Sequence, residues 1–273
     1  MPNRFRYHGY AIGAAGRISS PFFELIEVQA AAALPQIGGH GSARSVAFKY
    51  REIVRFDAAH SEVTGSSCDC EDGNEDGPFY TRIKSTVEGL NVLDMVTVDR
   101  VVATLSSTYT PDSDGQPSVK LIGTRFENLR IAGIPVEVDL ATDVFDRFDT
   151  HRALAHAYKQ GEVRELVDNQ TWRQRSHKAP PKVARWLNSL ERCGDEMPSV
   201  RGVTSTSLVR ELAAKNLEHW GHVILIPGFG TVRLAELEIR ENTRVLNMIQ
   251  LDLDCPYKAR LMVGSIADGG DDY

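Results

Sequence analysis

Apolar and polar residues alternate along most of this chain in short runs, and clusters of Gly, Asp, Ser and Pro separate one run from the next. A period of two marks strands that are wet on one face, because successive side chains leave a strand on opposite sides. Six runs before residue 141, rich in Val, Ile, Thr and aromatics, read as strands, and several of them alternate in this way: FFELIEVQA (22–30), SVAFKYREIVRF (45–56), FYTRIKSTVEGLNVL (79–93), MVTVDRVVATLSSTY (95–109), VKLIGTRFENLRIAG (119–133) and IPVEVDL (134–140). In the last, Val136, Val138 and Leu140 fall on one side, with Glu137 and Asp139 on the other.

The period changes at residue 143. Leu154, Ala157 and Tyr158 recur at helical spacing after a capping residue at Asp149, and Val163, Leu166 and Val167 repeat the pattern. In PPKVARWLNSLERCG (180–194), Pro181 suits a first helical turn, Val183, Trp186, Leu187 and Leu190 form one stripe, and Gly194 can end the helix. Strand patterns return after Pro198. HVILIPGFGTVRLAELEI (222–239) predicts a hairpin turned by Pro227, Gly228 and Gly230. NMIQLDLD (247–254) and RLMVGSI (260–266) predict closing strands, whereas TSTSLVRELAAKNLEHW (204–220) reads as strand first and helix later.

These elements predict a mainly β protein: one β-rich domain formed by residues 1–142 and 196–273, with an α-helical insertion over 143–195. Its architecture is expected to be a two-layer sandwich or a flattened barrel. VEGLNVLDMVTVD (87–99) is echoed by FENLRIAGIPVEVD (126–139) and faintly by AELEI (235–239), which raises a β-solenoid as the alternative. The irregular spacing of the echoes favours the sandwich or barrel.

Composition narrows the function classes. A chain of 273 residues with 42% apolar residues can bury a full core, and its formal charge of −6 lacks the basic excess of a general nucleic-acid binder. No stretch reaches membrane-spanning length. As it stands the chain reads as cytoplasmic, with export left open if a leader once preceded it. Four cysteines, Cys68, Cys70, Cys193 and Cys255, are too few for a disulfide scaffold and read as free thiols.

YHGYAIGAAG near the start, LPQIGG (34–39), VEGLNVLDMVTVDRVVA (87–103), FENLRIAG (126–133) and GFGTVRLAEL (228–237) together resemble the choice-of-anchor P family of bacterial, mostly exported β-rich proteins. In that family a small-aromatic-Gly entry strand, a proline-glycine turn and a "gLNvLg.vTAD" strand recur. The resemblance covers the β parts, roughly two thirds of the chain, and departs in the missing export signal and the long insertion. It implies a β-rich fold and no particular activity.

Candidate chemistry gathers in three places. In CDCEDGNEDG (68–77), Asp72, Asn74 and Asp76 with Gly77 reproduce the first half of a calcium loop. The second half fails, because the position that should bring a bidentate Glu holds Ile83. A solvated turn is the favoured reading and calcium the sharper one. Cys68 and Cys70 suggest zinc, yet their C-x-C spacing supplies two ligands of four. The second place is the insertion: residues 147–192 carry +5, leaving −11 on the remainder. There the first reading is amphipathic helices with solvated Arg and Lys outward; docking of Trp172, Arg173, Arg175 and Lys178 on an acidic protein surface, including a second copy of the chain, comes second, and nucleic acid third. The third is RFDAAHSE (55–62), where His60 could act as a base held by Glu62, whereas Asp57, an odd count away, is expected on the other face. His151 lies in the insertion without an obvious nucleophile.

The expected function is therefore a noncatalytic binding or assembly module whose partner is a protein or a second copy, reached through the insertion and the acidic loops. The alternative is an enzyme or small-ligand binder with a cavity in the β scaffold and the insertion as its lid. A pocket of several hundred cubic ångströms would favour the alternative.

Overall fold

The computed structural model describes residues 5–67, 78–110, 115–171, 196–200 and 203–271. The long alternating runs form β1 (Arg6–Ser20), β2 (Glu24–Gln29), β3 (Ala32–Ala33), β4 (Gly39–Tyr50), β5 (Val54–Ser67), β6 (Phe79–Val92) and β7 (Val96–Tyr109). Short strands follow: β8 (Ser118–Lys120), β9 (Arg125–Glu127), β10 (Arg130–Ile131), β11 (Ile134–Pro135) and β12 (Glu137–Leu140). Among the described residues three helices come next, α1 (Thr142–Arg147), α2 (His151–Gln160) and α3 (Arg164–Thr171). The chain then returns to strands as β13 (Ser199–Val200), β14 (Val203–Ser207), β15 (Val209–Ala213), β16 (Glu218–Trp220), β17 (Val223–Ile226), β18 (Gly230–Ile239), β19 (Thr243–Asp254) and β20 (Lys258–Asp271).

Two large antiparallel sheets result, neither closed into a barrel. The larger runs β13-β14-β18-β19-β20-β1-β2, with β17 also on β18 and β3 on β1. The smaller runs β11-β10-β7-β6-β5-β4, with β8 and β9 on β7, while β12 and β15 form a separate pair. β1, β19 and β20 lie against β5, β6 and β7, so the core sits between the sheets. Along β6, Phe79, Thr81, Ile83, Ser85 and Val87 turn inward and are buried, while Tyr80, Arg82, Lys84, Thr86 and Glu88 turn out. The sheets approach closely at β1, where a Cβ on Gly13 would come within 2.7 Å of Ala59 and one on Gly9 within 2.6 Å of Ile83. The glycines of YHGYAIGAAG thus serve packing.

Each sheet is crossed by one row at which the inward phase flips. In the smaller sheet, the register on either side sets Ala47, Asp57, Gly89, Asp99 and Asn128 in line across β4, β5, β6, β7 and the end of β9. Every second member has a positive φ: Ala47 (50°), Gly89 (65°) and Asn128 (54°). Val54 and Phe56 point inward before the row on β5, and Ala59, Ser61 and Val63 after it. In the larger sheet the row is Ala30, Gly13, Gly264, Met248 and Ala235, again with positive φ at alternate members (50°, 64° and 49° at Ala30, Gly264 and Ala235). A residue in this conformation inverts the pleat, so alternation resumes on the opposite count.

The internal echo has a structural cause. Leu93 and Asp94 turn β6 into β7 with φ of 52° and 53°, and Ala132 and Gly133 turn β10 into β11 with 51° and 76°. Two positive-φ residues form the tight turn that matches strand twist, so the repeated motif is a hairpin corner. The antiparallel pairing of both copies removes the solenoid alternative.

Several expectations shift. The run 119–133 is broken into β8, β9 and β10, and 45–56 spans the turn between β4 and β5. The helix-like end of 204–220 is strand β16 paired with β17, because Trp220 finds a buried place there. The cap of α2 is Thr150, which accepts from the Ala153 N–H at 3.1 Å, rather than Asp149. Leu154, Ala157 and Tyr158 are buried as their spacing predicted, and the Tyr158 hydroxyl donates to Asp168 Oδ1 at 2.7 Å, tying α2 to α3. The helix expected over 180–194 lies outside the described residues.

Candidate functional site

β4, β5 and β6 lay an open polar face on the outside of the smaller sheet, and the sequence-derived pair His60 and Glu62 falls on it. His60 stands between Arg44 and Thr86, Glu62 between Ser42 and Lys84, and Thr64 between His40 and Arg82. His40, Arg44, His60, Glu62, Tyr80 and Arg82 are exposed, and Lys84 is half-buried. The side chains alternate outward because their neighbours Ala59, Ser61 and Val63 are committed to the core. Asp57 is also exposed on this side, which corrects the expected separation from His60: the phase flip at its row brings both residues out. No hydrogen bond or ion pair joins His60 to Asp57 or Glu62 among the described residues, and neither His60 nor Glu62 lines either of the two cavities described below.

The cations of this face have no carboxylate partner among the described residues, as is also the case for Arg17, Lys159, Lys215, Arg240 and Lys258. Arg51, Arg55, Arg100, Arg125, Arg210, Arg233 and Arg260 are each paired with a carboxylate. Arg44, Arg82 and Lys84 make no ion pair with the described residues. Neighbouring strands are about 4.8 Å apart and the rows of Arg44 and Arg82 are four residues apart along the strand, so these three cations span a patch of roughly 10 by 14 Å.

A second polar cluster lies under the helices. Arg244 on β19 and Asp268 on β20 are opposite each other and face inward. Burial pushes the Asp268 carboxyl up to about 6, against the Ser107 hydroxyl, the Gly269 N–H and Arg244, all of which favour its charge. Burial likewise lowers Arg244 to about 10. The Asp149 carboxylate, half-buried, accepts from Ser118 Oγ at 2.6 Å and from Lys120 Nζ at 2.8 Å. Burial would raise it, yet those two partners hold it below the usual carboxylate range. Asp146 caps the Leu121 N–H at 2.6 Å, and burial raises its carboxyl. His151, at the start of α2, is pushed down by burial and by Arg244, which keeps the imidazole neutral at pH 7. The cavity here, lined by Leu105, Val119, Phe145, Asp149, Leu154 and Arg244, measures about 10 Å³. That is room for one water molecule.

A third network is structural in the same sense. His222 is fully buried with Nε2 3.2 Å from Glu236 Oε1, and Arg233 reaches Glu236 Oε2 at 3.0 Å, Gln250 Oε1 at 2.9 Å and Asp252 Oδ2 at 3.2 Å. Burial would raise Glu236, but Arg233 and then His222 outweigh it and keep the carboxylate charged. A polar groove of about 240 Å³ at the β4–β5 and β6–β7 turns is lined by Lys49, Glu52, Arg55 and Asp94, which are tied in pairs at 2.5 and 3.1 Å.

Sequence reasoning missed Asp268, Arg244, His222 and Glu236. The signal for Glu236 was a carboxylate inside the apolar run 222–239, where a buried charge calls for a cation. Asp72, Asn74, Asp76, Trp172, Arg173, Arg175 and Lys178 lie outside the described residues, as do Cys68, Cys70 and Cys193. Among the described residues no group of three or more His, Cys, Asp and Glu side chains is arranged to hold a metal, and no helix is long and apolar enough to cross a membrane.

Comparison with known proteins gives one relationship. Residues 5–240 match a domain of unknown function, DUF8256, a range that ends just before β19 and β20 in the middle of the larger sheet. No curated protein and no solved structure matches the chain. Since the match spans most of its length, the chain belongs to the DUF8256 family.

Proposed function

We propose that this protein is a noncatalytic binding or assembly module that offers the outer face of its smaller sheet to an acidic protein surface. The observation that carries the reading is the set of three cations, Arg44, Arg82 and Lys84, displayed on a sheet face without ion pairs among the described residues. Holding free cations on a rigid surface favours a partner of opposite charge and speeds its approach. The basic stretch of the insertion, with Trp172, Arg173, Arg175 and Lys178, belongs to the same proposal as a second contact for an acidic partner. So does a distant kinship with the choice-of-anchor P proteins, which rests on the strand motifs.

The enzyme or ligand-binder reading would draw on the cavity beneath the helices. Ligand sites measure about 300–1,000 Å³; the 10 Å³ cavity there and the open polar groove of about 240 Å³ at the strand turns are both smaller, which favours the module. The face is tested by fluorescence anisotropy with a labelled peptide of alternating Glu and Ser. Binding that weakens at least about tenfold in the double variant Arg82→Glu/Lys84→Glu, and falls as salt is raised, is expected. Binding that ignores the double variant would overturn the proposal, and so would tighter binding of a DNA duplex than of the peptide.

A further inference from the structure

β2 and β4 are the terminal strands of the two sheets, and they lie on the same side of the sandwich. Each pairs on one edge only among the described residues, β2 with β1 and β4 with β5. A free edge presents a row of backbone donors and acceptors to any strand that can reach it. The two edges are locked level with one another: Ser45 Oγ donates to Gln29 Oε1 at 2.7 Å, and Arg51 bonds Glu24 Oε2 at 2.9 Å while its guanidinium covers the Phe22 ring at 4.1 Å.

Large apolar side chains collect along this side. Phe23, Leu25, Val28 and Val46 are 72, 64, 51 and 60% exposed, a concentration that a sheet edge facing water does not call for. Charge divides between the strands. β2 carries Glu24 and Glu27 and no cation, whereas β4 carries His40, Arg44 and Lys49 and no carboxylate. Pairing β4 with another β4 would oppose like charges, and so would pairing β2 with another β2.

We infer that this side is the interface of a twofold homodimer in which β2 of each copy pairs with β4 of the other. The occupant is a second copy because the acidic, apolar edge that complements β4 lies on this same chain, at the same level and on the same side. A twofold axis through the side joins each larger sheet to the partner's smaller sheet, satisfies four edges in one closed contact and sets Glu27 toward the partner's Arg44. The inference shares Arg44 with the proposed acidic-partner face, whose other two cations, Arg82 and Lys84, lie on β6 away from the edge and so separate the two readings.

Sedimentation equilibrium of the full chain at about 100 µM, well above a micromolar Kd, should return twice the 30.2 kDa mass of one chain. Glu27→Lys and Arg44→Glu, each at an exposed position, should each raise the dimer Kd at least about tenfold, and the double variant should recover the dimer. Leu25→Lys with Val46→Lys should give a monomer with an unchanged circular dichroism spectrum, while Arg82→Glu/Lys84→Glu should leave the dimer intact. A monomer at every concentration overturns the inference. A dimer indifferent to the edge variants, or one that only Arg82→Glu/Lys84→Glu dissociates, does the same.

Discussion

Arg244 and Asp268 face each other across β19 and β20 inside the sandwich, yet they do not form an ion pair. The Arg244 guanidinium donates to the Arg240 and Thr243 carbonyls, and Asp268 Oδ1 is left without a hydrogen-bond partner. A carboxylate so placed is costly to charge, which is why its value stands at about 6.

Stability should follow that carboxyl. Its folded value exceeds the unfolded one, about 3.9, so between these values the native state holds more protons. Stability therefore falls as pH rises from about 4 to about 6, by on the order of 2–3 kcal/mol from this group. Urea unfolding across that range should show the decline, and Asp268→Asn should flatten it and raise stability at pH 7. A variant less stable than the parent at pH 7, with the slope intact, would refute the assignment.

The network around Glu236 should behave in the opposite way. Arg233→Met strips the buried carboxylate of its cation and is expected to cost about 3–5 kcal/mol. Adding Glu236→Gln removes the stranded charge and should recover part of the loss, a coupling that a double-mutant cycle measures directly. Because Glu236 is held below its usual value, its contribution is present above about 4.3 and is lost as pH falls further.

Two glycines with positive φ should differ sharply. Gly230 has φ of 143°, and a Cβ there would lie 2.1 Å from the Asp252 carbonyl oxygen, so Gly230→Ala must push β18 from β19. More than about 2 kcal/mol should be lost. Gly133, with φ of 76° and open space around it, should lose only about 1 kcal/mol on the same change. Thermal melts of the two variants rank them.

The helices should be held to the sheets mainly by buried side chains. Leu154→Ala enlarges the small cavity beneath α2 and is expected to cost about 2–5 kcal/mol. Thr150→Ala removes the cap for about 1 kcal/mol. Limited proteolysis should cut Leu154→Ala within 142–171 faster than Thr150→Ala, and equal rates would count against this ranking.

The alternation of side chains was enough to find β6, β7, β18, β19 and β20 and to exclude a helical fold, since a period of two cannot be satisfied on a helix. Spacing likewise placed Leu154, Ala157 and Tyr158 on one buried stripe. Which face each half-strand turns inward was decided by the tertiary structure. Ala47, Asn128, Ala30 and Ala235 take positive φ at rows where both sheets flip their phase, and nothing local marks an alanine for that conformation. That flip put Asp57 and His60 on one exposed surface. The buried charges were hidden for a related reason: Arg244 and Asp268 are 24 residues apart and became neighbours only through strand register. Sequence periodicity records what each strand needs from solvent. Which distant residues meet depends on how those strands are paired and stacked.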